Sequence, residues 1–240
     1  MTGDAAELYD ALAPDYQEYA AKRAIYLAAV DAFIRERVPP SARRLLDVGS
    51  GDGVRAMALA RACAFETVVL SDVSVEMVER CRALAPTAVW RTPAQDLPDE
   101  GLRFDVITCL WNVLGHVPAR ADRLAALRRM RALLATGGMV FLDVQNRHNA
   151  AAYGRGRVLA RLVLDRLRPD EKRGDTSFDW KIGRNTIRGH GHLFTPAEIG
   201  GLLQEAGLRI VERVAVDYAT GQRSPSPLRG QLAFACVAAS

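Results

Sequence analysis

Two acids, Asp47 and Asp72, stand on either side of a run of alternating glycines, Gly49, Gly51 and Gly53, in a chain of 240 residues. A carboxylate at the end of a buried strand can accept hydroxyl protons from a ribose. Glycines in that spacing leave bare peptide amides at a helix N-terminus, where a ligand can approach the backbone closely. A dinucleotide fingerprint would need glycine at position 54, where Val54 stands, so a pyrophosphate is not the expected guest. For proton transfer the chain offers His116, His190 and His192. Each is either a packed structural ring or a base. His190 and His192 are two apart and share a side if extended, which also suits a metal pair, but no third ligand has fitting spacing and no metal is expected.

Each of these residues needs an element to carry it. Leu45, Leu46 and Val48 read as a buried parallel strand ahead of the glycines, and Ala56, Met57, Leu59 and Ala60 as the apolar stripe of the helix after them. Thr67 to Ser71 reads as a second strand ending at Asp72, with Ser74 a helix cap and Met77 in the helix behind it. Val89-Trp90 is a short third strand, Phe104 to Leu110 a fourth and Met139 to Asp143 a fifth, with a helix over 121–134 and a break at Thr136-Gly137-Gly138 between the last two. Residues 4–37 read as helices that stop before Pro39-Pro40. Val158 to Leu167 reads as a helix, Thr195-Pro196 as a helix start, and Leu208–Val216 and Gln231–Val237 as an antiparallel closing pair.

Taken in order, these segments resemble the class I S-adenosylmethionine (SAM)-dependent methyltransferases. Asp47-Val48-Gly49-Ser50-Gly51-Asp52-Gly53 is similar to their motif I, and Asp72 with Val73 to Met77 to motif II. Ala94-Gln95-Asp96-Leu97-Pro98 is similar to a third segment, although Thr92-Pro93 replace the usual Gly-Asp. Phe104-Asp105-Val106-Ile107 followed by Leu110, Trp111 and Asn112 is similar to motif IV. Tyr9-Asp10-x-x-Ala13-x-x-Tyr16 is similar to the N-terminal helix that folds over the cofactor in small-molecule members.

The resemblance implies an α/β Rossmann-like sheet of seven strands in the order 3-2-1-4-5-7-6, the last antiparallel, with helices on both faces. It implies a single domain: a helical cap over 1–40, a SAM-binding core over 41–146, a basic insertion or lid over 147–190, and a closing helix and strand pair over 191–240. The implied cofactor site is Asp47, Gly49, Ser50, Gly51, Asp72, Val73, Met77, Gln95, Asp96, Leu97, Leu110, Trp111 and Asn112. Tyr16 would cover the methionine end and stands among the catalytic candidates, and Arg23 would meet the carboxylate; the tyrosines alternatively only glue the helix down. Asp217 and Tyr218, before the last loop, either touch the acceptor or shape the turn.

Composition bounds the function. Hydrophobic residues at 49% with 25% charged are those of a soluble globular protein. Asp4 and Glu7 interrupt the start where a signal peptide would need an apolar run, and no stretch reads as a membrane span. Cys63, Cys81, Cys109 and Cys236 lie far apart in apolar contexts and read as reduced core residues of a cytoplasmic protein. Residues 147–190 carry eleven Lys or Arg against five Asp or Glu, a net +6 beside +4 for the whole chain. That segment is either a solvated lid over a small acceptor or a patch for tRNA or another nucleic acid. The readings are therefore a SAM-dependent methyltransferase acting on O, N or C of a small metabolite, one acting on nucleic acid, and a SAM-binding regulator without turnover.

Overall fold

The computed structural model of the chain describes residues 5–182 and 185–239. Asp4 of the expected first helix and Arg184 of the basic segment lie outside the described residues.

Helices α1 (Ala5–Leu12), α2 (Tyr16–Ala21) and α3 (Ala24–Arg35) come first. On α3 the residues Tyr26, Val30, Phe33 and Ile34 recur on one face, as a stripe bound for a core does, and all four are buried. Strand β1 (Arg44–Val48) runs through the glycines into α4 (Val54–Ala62), and β2 (Thr67–Asp72) through Ser74 into α5 (Val75–Ala83). Then come β3 (Ala88–Arg91), β4 (Phe104–Cys109), α6 (Val113–His116), α7 (Arg120–Leu133) and β5 (Leu134–Val144). The basic segment holds α8 (Ala150–Tyr153), α9 (Arg155–Leu167) and a hairpin of β6 (Asp175–Ile182) and β7 (Asn185–His192). The chain closes with α10 (Pro196–Glu205), β8 (Leu208–Val216), β9 (Arg223–Ser224) and β10 (Gln231–Ala238).

The main sheet has the order β3-β2-β1-β4-β5-β10-β8-β9. Strands β1 to β5 pair in parallel, while β10 is antiparallel to both β5 and β8. Two antiparallel steps return β8 to the direction of the parallel strands, so the expected 3-2-1-4-5-7-6 order holds. The sheet has eight strands rather than seven: the two residues of β9 fold back onto Ala215 and Val216. Thr136-Gly137-Gly138 lies within β5 and is not a linker; the register there slips between Phe104 and Val106, and Gly137 takes φ +77°.

Alternation along the strands feeds two cores. Leu46, Val48, Ile107, Val140 and Leu142 face α7 and α10, whereas Leu45, Val68, Leu70, Val106 and Phe141 face α3 and α4. Burial on both faces explains why these strands read as near-continuous apolar runs. A capping box between Thr195 and Glu198 starts α10, with Pro196 at its first position.

Candidate active site

The loop after β1 can only be built from glycine. Gly49 and Gly51 take φ of +70° and +56°, and a side chain at either would collide, with Val113 at the first and the Tyr16 hydroxyl at the second. The amides of Gly49 and Ser50 donate to the Ser71 carbonyl at 2.8 and 2.9 Å, which ties the loop to the end of β2. Gly51 N donates to Asp72 Oδ2 at 2.8 Å, and Ser74 N to Asp72 Oδ1 at 3.0 Å. Burial pushes the Asp72 carboxyl up to about 6, against those amide bonds. Asp47, also buried, rises to about 6 for the same reason, against a hydrogen bond from the Thr108 hydroxyl. Helix α1 is fastened over this edge by Asp10, whose Oδ1 accepts from Ser74 Oγ at 2.5 Å and Glu76 N at 3.1 Å.

Above the loop lies a cavity of about 370 Å³. Asp72, Val73 and Thr92-Pro93-Ala94-Gln95 form one wall, Gly49, Gly51, Leu110 and Val113 the floor, and Tyr9 and Tyr16 the roof. A second cleft of about 270 Å³ opens on the other side of Tyr16, over Asp47, Ser50, Asp52 and Arg55. Gly49, Tyr16, Leu110 and Trp111 belong to both.

A further chamber of about 360 Å³ lies beneath the hairpin and α9. Trp111 reaches it because the chain turns sharply after β4: Trp111 and Asn112 take φ of +60° and +64°, a conformation that costs a non-glycine residue about 1 kcal/mol each. Asp143, buried at the end of β5, holds that turn by accepting the Trp111 amide and the Tyr26 hydroxyl. Asn112 Oδ1 accepts from Gln145 N at 2.9 Å, and Trp111 Nε1 donates to the Tyr218 hydroxyl at 2.8 Å. Tyr9, Trp111 and His116 line both the nucleoside-sized cavity and this chamber, and so form the wall between them.

His116 is oriented by the hairpin. Its Nδ1 lies 3.2 Å from the carbonyl oxygen of His190. A carbonyl only accepts, so Nδ1 carries the proton and the lone pair is on Nε2, 3.3 Å from the Tyr9 hydroxyl. Burial pushes the His116 pKa below its ordinary 6.5, against the His190 hydrogen bond, which keeps the ring neutral near pH 7.

A family model described as a methyltransferase domain matches residues 16–213. The chain belongs to the methyltransferase-domain family. It is 30% identical over 190 residues to a ubiquinone biosynthesis O-methyltransferase of Pseudomonas syringae pv. tomato, covering 78% of this chain and 73% of that one. To a dTDP-3-amino-3,6-dideoxy-alpha-D-glucopyranose N,N-dimethyltransferase of Streptomyces fradiae it is 33% identical over 146 residues, 59% of this chain and 53% of the relative. The fold is similar to that of SAM-bound CalS10, an amino pentose methyltransferase from Micromonospora echinaspora, with a TM-score of 0.62, 20% identity, and 92% and 95% of the two chains covered.

In this methyltransferase, the sites expected from sequence divide. Gly49, Gly51, Asp72, Val73, Gln95, Leu110, Trp111 and Tyr16 line the nucleoside-sized cavity, and Asp47 and Ser50 the neighbouring cleft. Asn112 and Tyr218 line the far chamber. Met77 and Leu97 are fully buried and, like Asp96, line none of the cavities described above; the wall there is Thr92 to Gln95. Arg23 stacks over Tyr218 at 5.1 Å, and its Nε is buried without a partner.

Two of the three histidines are not bases in the chamber. His190 contributes its carbonyl and lines a separate cleft of about 400 Å³ with His116 and Arg123. His192 is fully buried, with Nδ1 2.7 Å from Asp175 and Nε2 2.6 Å from Glu198, so neither nitrogen is free to take a proton from a substrate. Asp217 shapes its turn: Oδ1 accepts from Ala219 N, Thr220 N and Thr220 Oγ1.

Sequence reasoning missed Tyr19, Gln145, Tyr153, Arg161, Phe178 and Trp180, which complete the far chamber. Their signal was faint: Phe178 and Trp180 alternate as strand residues do, but among charged neighbours.

Proposed function

We propose that this methyltransferase moves a methyl group from SAM to an oxygen or nitrogen of a small-molecule acceptor held beneath the hairpin. The observation that carries the reading is the shared wall: one cavity suited to a nucleoside abuts a second chamber, and Tyr9, Trp111 and His116 line both.

The residues present suit SAM. Asp72 would accept the ribose hydroxyls, the slot between Val73 and Thr92 to Gln95 would take the adenine, and the methionine portion would extend towards the cleft over Asp47 and Ser50, beside Tyr16, whose hydroxyl rests on Gly51. Arg23, whose Nε is buried without a partner, lines neither cavity and would have to turn from Tyr218 to meet the methionine carboxylate. When bound, SAM would supply an electrophilic methyl group on a sulfonium, with the sulfur able to leave as a neutral thioether when the acceptor's lone pair attacks.

The protein's contribution is alignment in a water-poor site. Trp111, locked by Asp143 and Tyr218, fixes one side of the gap between the chambers. Where the acceptor is a hydroxyl, His116 Nε2 takes its proton, with Tyr9 OH as the group it is displaced from.

Residues 1–40 act as the cap, 41–146 carry the donor site, and 147–190, running on to His192, form the lid. Arg147, Arg173 and Arg188 of that basic segment are engaged with Asp165 and Asp179, which supports a lid over a small acceptor rather than a nucleic-acid track. Among the described residues no helix is long and apolar enough to cross a membrane, and we place the enzyme in the cytoplasm. The test is calorimetry with S-adenosylhomocysteine (SAH) on wild type and Asp72→Ala, followed by incubation with labelled SAM and a metabolite extract. Binding by wild type, its loss in Asp72→Ala and a labelled small product are expected; equal affinity in the two proteins, or label only in RNA, would refute it.

A further inference from the structure

The far chamber is built from rings and one cation. Tyr19 stacks on Trp111 at 5.3 Å and meets Trp180 at 4.9 Å in a tilted pair, and Trp180 meets Phe178 at 5.3 Å, so aromatic rings line one side of the space. No carboxylate lines it among the described residues; the charged side chain in its wall is Arg161, on α9.

Arg161 is placed as a receptor rather than as a strut. Among the described residues it makes no ion pair, and its one hydrogen bond runs from Nη1 to the Arg147 carbonyl at 2.9 Å. Its guanidinium lies over the Tyr153 ring at 4.5 Å, which fixes its plane. Arg147 and Arg173 are paired with Asp165, whereas Arg161 lies outside ion-pair distance of it. Burial and the nearby charge of Arg147 lower its pKa more than Asp165, beyond ion-pair distance, raises it, so the cation carries a net cost. An anion arriving in the chamber would remove that cost.

We propose that the acceptor is a planar aromatic compound bearing an anionic group: its ring packs against the wall made by Trp111, Tyr19 and Trp180, Arg161 holds the anion, and the hydroxyl or amine to be methylated faces His116. A volume of about 360 Å³ restricts it to one or two rings. A face-on aromatic pair gives the ring its orientation, and a guanidinium fork fixes the anion in two directions at once. The proposal rests on the SAM-methyltransferase reading and names the substrate class of that site.

The test titrates the SAH-loaded protein with salicylate, protocatechuate and anthranilate, each beside its neutral methyl ester. At least one acid is expected to bind, and its ester roughly 10- to 100-fold more weakly, the range for a charge-assisted contact. Arg161→Gln should bring the acid down to the ester's affinity, leaving ester and SAH binding unchanged; Arg161→Lys should keep part of the preference. The proposal is overturned if no acid binds, if acid and ester bind alike, or if Arg161→Gln preserves the difference. Failure of SAH to bind wild type, read in the loading step, would instead remove the donor reading beneath it.

Discussion

The hydroxyl of Tyr9 lies 3.3 Å from Nε2 of His116, and this pair stands between the nucleoside-sized cavity and the chamber under the hairpin. Tyr9 comes from the first helix and His116 from the end of α6, 107 residues away. With Nδ1 committed to the His190 carbonyl, Nε2 is the one ring atom able to accept a proton.

His116→Gln should therefore lower kcat for a hydroxyl acceptor by about 100- to 10,000-fold, the range for a general base, with SAH affinity within about twofold. Because burial holds the His116 pKa below 6.5, the acid limb of the wild-type kcat profile should lie below pH 6.5 and vanish in the variant. A limb that survives the substitution would assign the proton to another group.

Asp72→Asn should separate stability from binding. The folded carboxyl titrates near 6, above its ordinary value, so between about pH 4 and 6 the folded state holds the proton more tightly than the unfolded one. The sign is that stability falls as pH rises through that window, leaving a charged, buried carboxylate as a cost at pH 7. The variant should melt higher than wild type at pH 7.5, with the difference shrinking towards pH 4, yet bind SAH at least about tenfold more weakly. Wild-type SAH affinity should itself decline below pH 6. Melting curves and calorimetry across pH check both.

Gly51→Ala adds a methyl group where φ is +56° and the Tyr16 hydroxyl already sits. A loss of about 1–2 kcal/mol in denaturant unfolding is expected from the backbone alone. SAH binding should disappear. Retained binding would mean the loop does not carry the ligand.

Asp165 pins the lid. It accepts from Arg147 Nε at 3.0 Å and faces His148 at 2.9 Å and Arg173 at 3.6 Å. Burial opposes its charge, but His148 and Arg147 outweigh that and hold its pKa below the ordinary carboxylate value. Its stabilisation is thus present above about pH 4 and lost as pH falls further. Asp165→Ala should cost about 3 kcal/mol, and limited proteolysis should cut the chain between α8 and β7 faster than in wild type. Equal cleavage rates would show that the segment is held some other way.

The donor side of this site was legible because its chemistry is a backbone pattern. Gly49, Gly51 and Gly53 are required by torsion angles, and Asp72 by the end of a strand, and both leave marks in spacing. The hairpin left almost none. Phe178 pairs with Gly189, and a side chain at Gly189 would strike the Phe178 ring, so the aromatic covers a glycine across the strands and not an apolar neighbour. Alternation was interrupted by Asp179, Arg188 and Gly191, and residues that read as loop are strand. Likewise His192 looked like a base by type; its clasp between Asp175 and Glu198 comes from two elements that sequence distance hides. Arg161 was counted among many arginines, and nothing in its neighbours marked it as the one that lines the chamber.

Because Tyr9 faces both compartments from a single short helix, the two share a door. Helix α1 rests on α5 through Asp10 and against the hairpin at Gly189 through Leu8. Swinging it aside would vent the two compartments together, so spent donor and methylated product should depart in one coupled event whose rate caps turnover.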